Sequence, residues 1–235
     1  MGNKPTGSGL ALYAKTVHCP FCEYEFATMK VRSRMAAPYA IDSDFCPHYR
    51  EGTTNPNYYY VNVCPECGFA FTEEFTKEIS LEARAQIKLR IGARWEKRDF
   101  GQMRDELQAI ESFKLAIFAA TLKKEKHALL GGLCLRLAWI YRDAHNNDEE
   151  ERFLLLAVKE MEEAYVQSDF VGTAVSEMQV LYLAAELHRR LGNYQEAVNY
   201  FSKVTEHPNR NNERRILILA REQWALAMET FRKKK

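Results

Sequence analysis

The sequence predicts an α+β protein in which a small β-rich region is followed by an all-α stack of paired helices. Three observations predict it. Cysteines occur in two Cys-Pro-x-Cys pairs, Cys19/Cys22 and Cys64/Cys67. The composition shifts near Phe75, because six of the seven prolines precede it among dense Tyr and Phe, and helical periodicity follows it. Within the helical part, one pattern of small and bulky residues recurs three times.

The 235 residues are 46% hydrophobic and 12% aromatic, enough to bury the core of one domain with an appendage or of two small domains. A formal net charge of +1 implies no polyanionic partner. Residues 1–76 hold 6 Lys/Arg against 8 Asp/Glu, a net −2, and the remainder carries +3. No stretch approaches the roughly 20 apolar residues that span a bilayer, and the start is too short in apolar residues for a secretory signal. Met1-Gly2 with Thr6 matches a loose myristoylation pattern, which we read as part of a flexible polar terminus over residues 1–12. Paired cysteines without an export signal point to metal-bound thiolates in a reducing, cytoplasmic setting rather than to disulfides.

The β-rich region is expected over residues 13–76. From Phe26 to Met35 the chain alternates with period two, as a half-buried strand does. Tyr58–Val63 and Phe69–Phe75 read as further strands, and Asp42–Asn57, with Pro47, Gly52 and Pro56, reads as a loop.

The helical region is expected over residues 77–235. Ala109-Ile110-Phe113-Ala116, Ala157-Val158-Met161-Ala164 and Ala197-Val198-Phe201-Val204 each lie on one helix face. Each is preceded by a small residue with a ring three positions on: Gly92 and Trp95, Ala138 and Tyr141, Ala185 and His188. The small residue admits a neighbouring helix and the ring fills the space beside it, so pairs stack into a solenoid. A final helix, roughly 212–231, carries Leu217, Ala220, Trp224, Met228 and Phe231 on one side and is expected to cap the stack. The basic tail Arg232–Lys235 suits a helix C-terminus.

Two Cys-Pro-x-Cys knuckles supply four sulfurs, the ligand set of a tetrahedral structural zinc ion, one per chain. Cys19, Cys22, Cys64 and Cys67 are the expected ligands in a zinc-ribbon-like arrangement, with Gly68 supplying a positive φ after the second knuckle. Four thiolates leave no open position, so the metal argues for structure rather than catalysis. Its removal is expected to unfold the β-rich region, which looks short of core. Cys46 and His48 are read as packing and solvated loop residues. The alternatives are a replacement ligand, a second metal with Asp42 or Asp44, or a reactive thiol. His18 is a possible extra ligand, and Cys134, among Leu130, Leu133 and Leu137, reads as core.

The last helix pair, with Leu191-Gly192-Asn193-Tyr194 as its turn and Pro208 as its stop, resembles the tetratricopeptide repeat over about residues 176–209. The first two pairs resemble it loosely. The whole chain resembles an uncharacterised bacterial family labelled a domain of unknown function, with a Cys-Pro-x-Cys region before tetratricopeptide-like repeats. The stretches that carry this resemblance are Cys19-Pro20-Phe21-Cys22, Lys30–Arg34, Asp42–Tyr49, Asn55–Tyr59, Cys64–Ala70 and Leu135–Arg142. The resemblance implies a bacterial cytoplasmic protein and brings no reaction.

The leading expectation is an adaptor that binds a protein or peptide partner along the first helix of each pair. The repeat resemblance places Gln86 and Lys97, then Trp139 and Arg142, then Gln179, Tyr182, Glu186 and Arg189 on that face, with Trp139, Arg142, Tyr182 and Arg189 as the principal partner contacts. Arginines beside aromatics suit an acidic, partly apolar segment. A second reading is nucleic-acid binding through Lys30, Arg32 and Arg34 beside Tyr58, Tyr59 and Tyr60, opposed by the acidic balance of the region and by Asp42 and Asp44, which can pair with that stripe. A third is thiol or redox sensing through Cys46. The sequence shows no phosphate-binding glycine loop, nucleophile elbow or paired-His helix, so no enzymatic role is expected.

Overall fold

The computed structural model describes residues 11–233. The terminus expected over 1–12 falls outside them as far as residue 10, as do the myristoylation match and the last two lysines; Ala11 and Leu12 are buried. The chain forms two compact units, one of Met1–Asp42 and Pro47–Glu125, the other of Ser43–Cys46 and Lys126–Lys235. In this division residues 77–125 group with the first unit and residues 43–46 with the helices that follow.

The first unit begins with an antiparallel hairpin of β1 (Leu12–His18) and β2 (Glu25–Val31), in register from Leu12 opposite Val31 to His18 opposite Glu25. The first knuckle is its turn. β2 stops at Val31, short of the expected Met35, because Ser33–Met35 coils into a 3-10 turn. A short ladder joins β3 (Ala40–Ile41) to β4 (Pro47–His48). The expected strands at Tyr58–Val63 and Phe69–Phe75 shrink to β5 (Asn62–Val63) and β6 (Ala70–Phe71), with the second knuckle between them. Pro56–Tyr59 is a 3-10 turn instead, because the Asn55 side chain accepts from the Asn57 N–H and Pro56 presets the first position.

Two helices complete this unit. The Ser80 hydroxyl caps α1 (Leu81–Arg90), and a capping box of Asp105 and Gln108 starts α2 (Glu106–Lys123). Ala109, Phe113 and Ala116 of α2 are fully buried, and α1 packs on this helix. The helix packs on β5, β6 and the 56–59 turn, and the Tyr60 ring stacks on Phe113 at 6.1 Å. Of the first expected pair, both helices form and meet, but the first ends at Arg90, before Gly92 and Trp95. Gly92–Arg94 is a single 3-10 turn, Trp95 is extended, and its indole donates to the Pro65 carbonyl at 2.9 Å. Buried Arg104 was not singled out in the sequence, where it is one cation among 33. It donates to the carbonyls of Phe100, Tyr58 and Val61 and so holds the irregular 58–61 segment. Burial, only partly offset by Tyr59 and Asp99, lowers its pKa to about 10.

The second unit is a stack of α3 (His127–Asp143), α4 (Asn147–Gln167), α5 (Glu177–Arg190), α6 (Tyr194–Glu206) and α7 (Arg214–Lys233), each packed on the next in sequence. Here the repeated pattern does what its spacing predicts. Ala138, Ala157, Met161, Ala164, Ala185, Ala197, Phe201 and Val204 are all buried. Gly131 lets α4 approach, since a Cβ there would stand 2.8 Å from the Met161 methyl. Tyr141 stacks on Phe153 at 5.6 Å. Asn146 and a Ser176–Gln179 capping box start α4 and α5, so Gln179 is a cap. In α7 Leu217 and Ala220 are buried and Trp224 is half-buried, as a capping helix requires.

Candidate functional site

The two knuckles are built alike. The Cys19 N–H donates to the Tyr24 carbonyl at 3.0 Å and the Glu23 N–H to the Cys19 carbonyl at 2.9 Å. The Cys64 N–H donates to the Phe69 carbonyl at 3.0 Å and the Gly68 N–H to the Cys64 carbonyl at 2.9 Å. Each turn places its two sulfurs on one side. The four sulfurs of Cys19, Cys22, Cys64 and Cys67 all lie within 4.8 Å of one another, with Cys19 to Cys67 at 3.7 Å and Cys22 to Cys64 at 3.6 Å. These separations are far too long for disulfides, whose sulfurs sit about 2.05 Å apart.

Proton sharing shows how the cluster handles charge. Cys64 is drawn down to about 2 by hydrogen bonds from Cys19 and Cys67, helped by the N–H groups of Cys67 and Glu66. Cys19 is pushed up to about 12, chiefly by its bond to Cys64, and Cys67 is pushed up through its bonds to both of the others. Four thiolates this close need a cation among them to ionise together, and the group can hold a metal ion. His18 is not part of it: the ring is 70% exposed and reaches Glu25 at 3.2 Å.

Trp95 supports the second knuckle from behind. Gly68 has a φ of +74°, and a Cβ on it would stand 2.4 Å from the Trp95 ring, so both the backbone angle and the close approach require glycine. Gln86 and Lys97 also lie in this first unit, where Gln86 accepts from Arg90 and Lys97 pairs with Glu66 at 2.8 Å.

Two members of the basic stripe, Lys30 and Arg32, are likewise engaged within the unit. Lys30 donates to the carbonyls of Tyr59 and Tyr60 at 2.8 and 3.3 Å. Burial, reinforced by the nearby Arg104 charge and only partly countered by Glu73, lowers its pKa to about 8. Arg32 lies over the Tyr13 ring. The buried Tyr59 hydroxyl accepts from the Arg104 N–H. Asp42 pairs with His48 at 2.8 Å.

In the second unit, Trp139, Arg142, Tyr182, Glu186 and Arg189 do converge, and residues 43–46 lie against them. The Asp44 carboxylate is fully buried. It accepts from the Arg142 guanidinium at 2.7 and 3.2 Å, the Trp139 indole at 3.3 Å and the Cys46 N–H at 3.3 Å, with Arg190 at 3.3 Å. Burial alone would raise its pKa; the Arg142 hydrogen bonds and the charges of Arg190 and Arg142 win, and the carboxyl is held below its ordinary value.

Ser43 makes the second anchor. Its hydroxyl donates to Glu186 at 2.6 Å, and its carbonyl accepts from the Tyr182 hydroxyl at 2.6 Å. Glu186, also fully buried, accepts from Arg189 and Arg190. The Phe45 ring meets that of Tyr182 at 5.4 Å. Tyr182 and Trp139 are thus buried, and Arg142 and Arg189 are ion-paired within the chain. Cys46 is 1% exposed, and Cys134 is buried with its thiol pushed up to about 12 by desolvation. Neither has the exposure of a reactive thiol. The signal for this contact was faint, since Asp44 and Arg142 are 98 residues apart in sequence.

Among the described residues no helix is long and apolar enough to cross a membrane. No curated protein matches this chain, and no solved structure does. The bacterial family described as "Uncharacterized protein conserved in bacteria (DUF2225)" matches residues 12–227. That match covers both knuckles, the 43–46 segment and nearly all of the helical stack, and the chain belongs to this family.

Proposed function

We propose that the protein is a zinc-holding scaffold whose tetratricopeptide-like helical stack binds an extended acidic segment of a protein partner, and that it is not an enzyme. Zinc suits the four sulfurs. A zinc–sulfur bond of about 2.3 Å gives a tetrahedron edge of about 3.8 Å, and the cross-knuckle pairs stand at 3.6 and 3.7 Å. A shell of four thiolates is closed, so the ion joins the two turns and activates no water.

The observation that carries the binding reading is the contact just described. The face made by Trp139, Arg142, Tyr182 and Arg189 already accommodates a short stretch of chain with a buried carboxylate. The nucleic-acid reading draws no such support, since Lys30 and Tyr59 are engaged within their own unit.

Two measurements test the proposal. Protein purified without chelator carries about one equivalent of zinc per chain; far less removes the metal half. Partner capture by the wild-type chain is lost on Arg142→Glu with Arg189→Glu; an unchanged set of bound proteins removes the binding half.

A further inference from the structure

Residues 43–46 are bonded to the helical unit as a ligand would be. Asp44 meets two guanidiniums and an indole, Ser43 meets Glu186 and the Tyr182 hydroxyl, and Phe45 lies against the Tyr182 ring. All of these partners stand on α3 and α5, the first helices of successive pairs. A carboxylate and a hydroxyl at adjacent positions are both read: Arg142 and Arg190 face the carboxylate, Glu186 accepts from the hydroxyl, and Arg190 bridges the two by also donating to the Ser43 oxygen at 3.2 Å.

Two further features mark the site as more than packing. Phe45 has a φ of 68°, in the left-handed region that a bulky side chain rarely adopts. The segment is held at a conformational cost that a ligand with glycine or asparagine there would not carry. The site also has an approach. A solvent-open cleft of about 560 Å³, lined by residues including Glu151, Leu154, Arg189 and Tyr194, shares Glu150 and Arg190 with the clamp. A longer segment can enter there and continue along it.

We propose that this clamp recognises, in a protein partner, an extended segment with a hydroxyl residue directly before an aspartate, and that Ser43–Cys46 is its resident competitor in cis. The inference rests on the binding function proposed above and specifies its ligand and its regulation. The cis segment starts from the high effective concentration that chain connectivity confers. A partner must exceed it, by shedding the Phe45 strain and by adding contacts along the cleft.

The test uses the zinc-loaded 235-residue chain and a dye-labelled peptide copying residues 40–46 with Cys46→Ser, read by fluorescence polarisation. Asp44→Asn weakens the resident segment while keeping its shape, so this chain should bind the peptide at least tenfold more tightly than wild type. The same peptide with Asp44→Asn should not bind, and adding Arg142→Gln to the chain should abolish binding. Should Asp44→Asn fail to fold, a chain with Ser43→Gly, Asp44→Ser, Phe45→Gly and Cys46→Ser takes its place, with helicity checked by circular dichroism.

A folded variant that binds the peptide no better than wild type overturns the inference, as does binding indifferent to Arg142→Gln. Peptide-induced dimerisation, or binding that persists after the peptide aspartate is lost, also overturns it. Partner capture that depends on Arg142 and Arg189 without any gain on opening the clamp leaves the scaffold function standing and removes only this inference.

Discussion

Glu23 and Gly68 hold the same position in the two knuckles. Each lies four residues after the first cysteine of its pair, each N–H bonds back to that cysteine's carbonyl, and their φ angles are 63° and 74°. The knuckle turn takes the left-handed backbone at both places, and only the second place is filled by the residue that adopts it freely.

Glu23→Gly should therefore stabilise the first unit by about 0.5–1 kcal/mol, the left-handed cost exceeding the entropy of an added glycine. Gly68→Ala should cost about 2–4 kcal/mol, because strain adds to overlap with the Trp95 ring. Urea midpoints of zinc-loaded protein measure both. Equal shifts of one sign would contradict the equivalence.

Chelation should loosen the knuckles without unfolding the unit around them. The sequence suggested that residues 13–76 are short of core, but the unit also takes in α1 and α2, so Ile87 and Phe113 are fully buried beside Phe69, each contributing about 2–3 kcal/mol. Far-UV circular dichroism should keep its helical signal after metal removal while the melting temperature falls. Exposed Cys22 should then react fastest with a thiol reagent, and buried Cys46 and Cys134 slowest. Collapse of the helical signal would show that the metal, not the core, holds this unit.

Arg104→Leu should destabilise the first unit by about 2–4 kcal/mol, because the carbonyls of Phe100 and Val61 lose a charged donor inside the protein. Arg104→Lys should recover part of this, since an ammonium keeps the charge but cannot span the same carbonyls. Denaturation midpoints of the two variants, compared with wild type, separate charge from fork geometry.

Acid should weaken the helical unit through Asp44. The folded carboxyl is held below its unfolded value of about 4, so its ionised form favours folding. The contribution is complete above that range and is lost as pH falls through the lower, folded value. Asp44→Asn should cost about 2–3 kcal/mol at pH 7, below the full penalty of a broken buried pair because Arg142 and Arg190 keep Glu150 and Glu186. It should also flatten the acid limb of a plot of unfolding midpoint against pH. An unchanged limb would assign acid sensitivity to other carboxyls.

The parts legible in the sequence were those whose chemistry is local. Cysteine ligation dictates short spacings, so Cys19–Cys22 and Cys64–Cys67 could be read directly. Helical periodicity marked Ala157–Met161 and Ala197–Phe201 as buried faces, and they are. The same periodicity marked Ala109 and Phe113 as buried but carried nothing about what packs on their helix, which is Tyr60, β5 and β6 as well as α1. Strands of two residues, such as Asn62–Val63, leave no alternation to detect. The β1 strand at Leu12–His18 buries only Leu12 and Val17, so its pattern is broken. Trp139, Arg142 and Tyr182 were placed together by the repeat resemblance. For Asp44 the sequence offered pairing with the Lys30 stripe or a second metal site, because sequence cannot rank two basic clusters for one carboxylate.

Because four residues near the beginning of the chain complete a unit built mostly from its second half, the protein cannot be cut once into two whole pieces. Residues 126–235 produced alone would leave Arg142 and Arg190 without Asp44 and a trough where Ser43–Cys46 belongs. On the ribosome, Asp44 emerges long before the guanidinium it will meet, so the helices can finish their packing only after an early segment has waited for them.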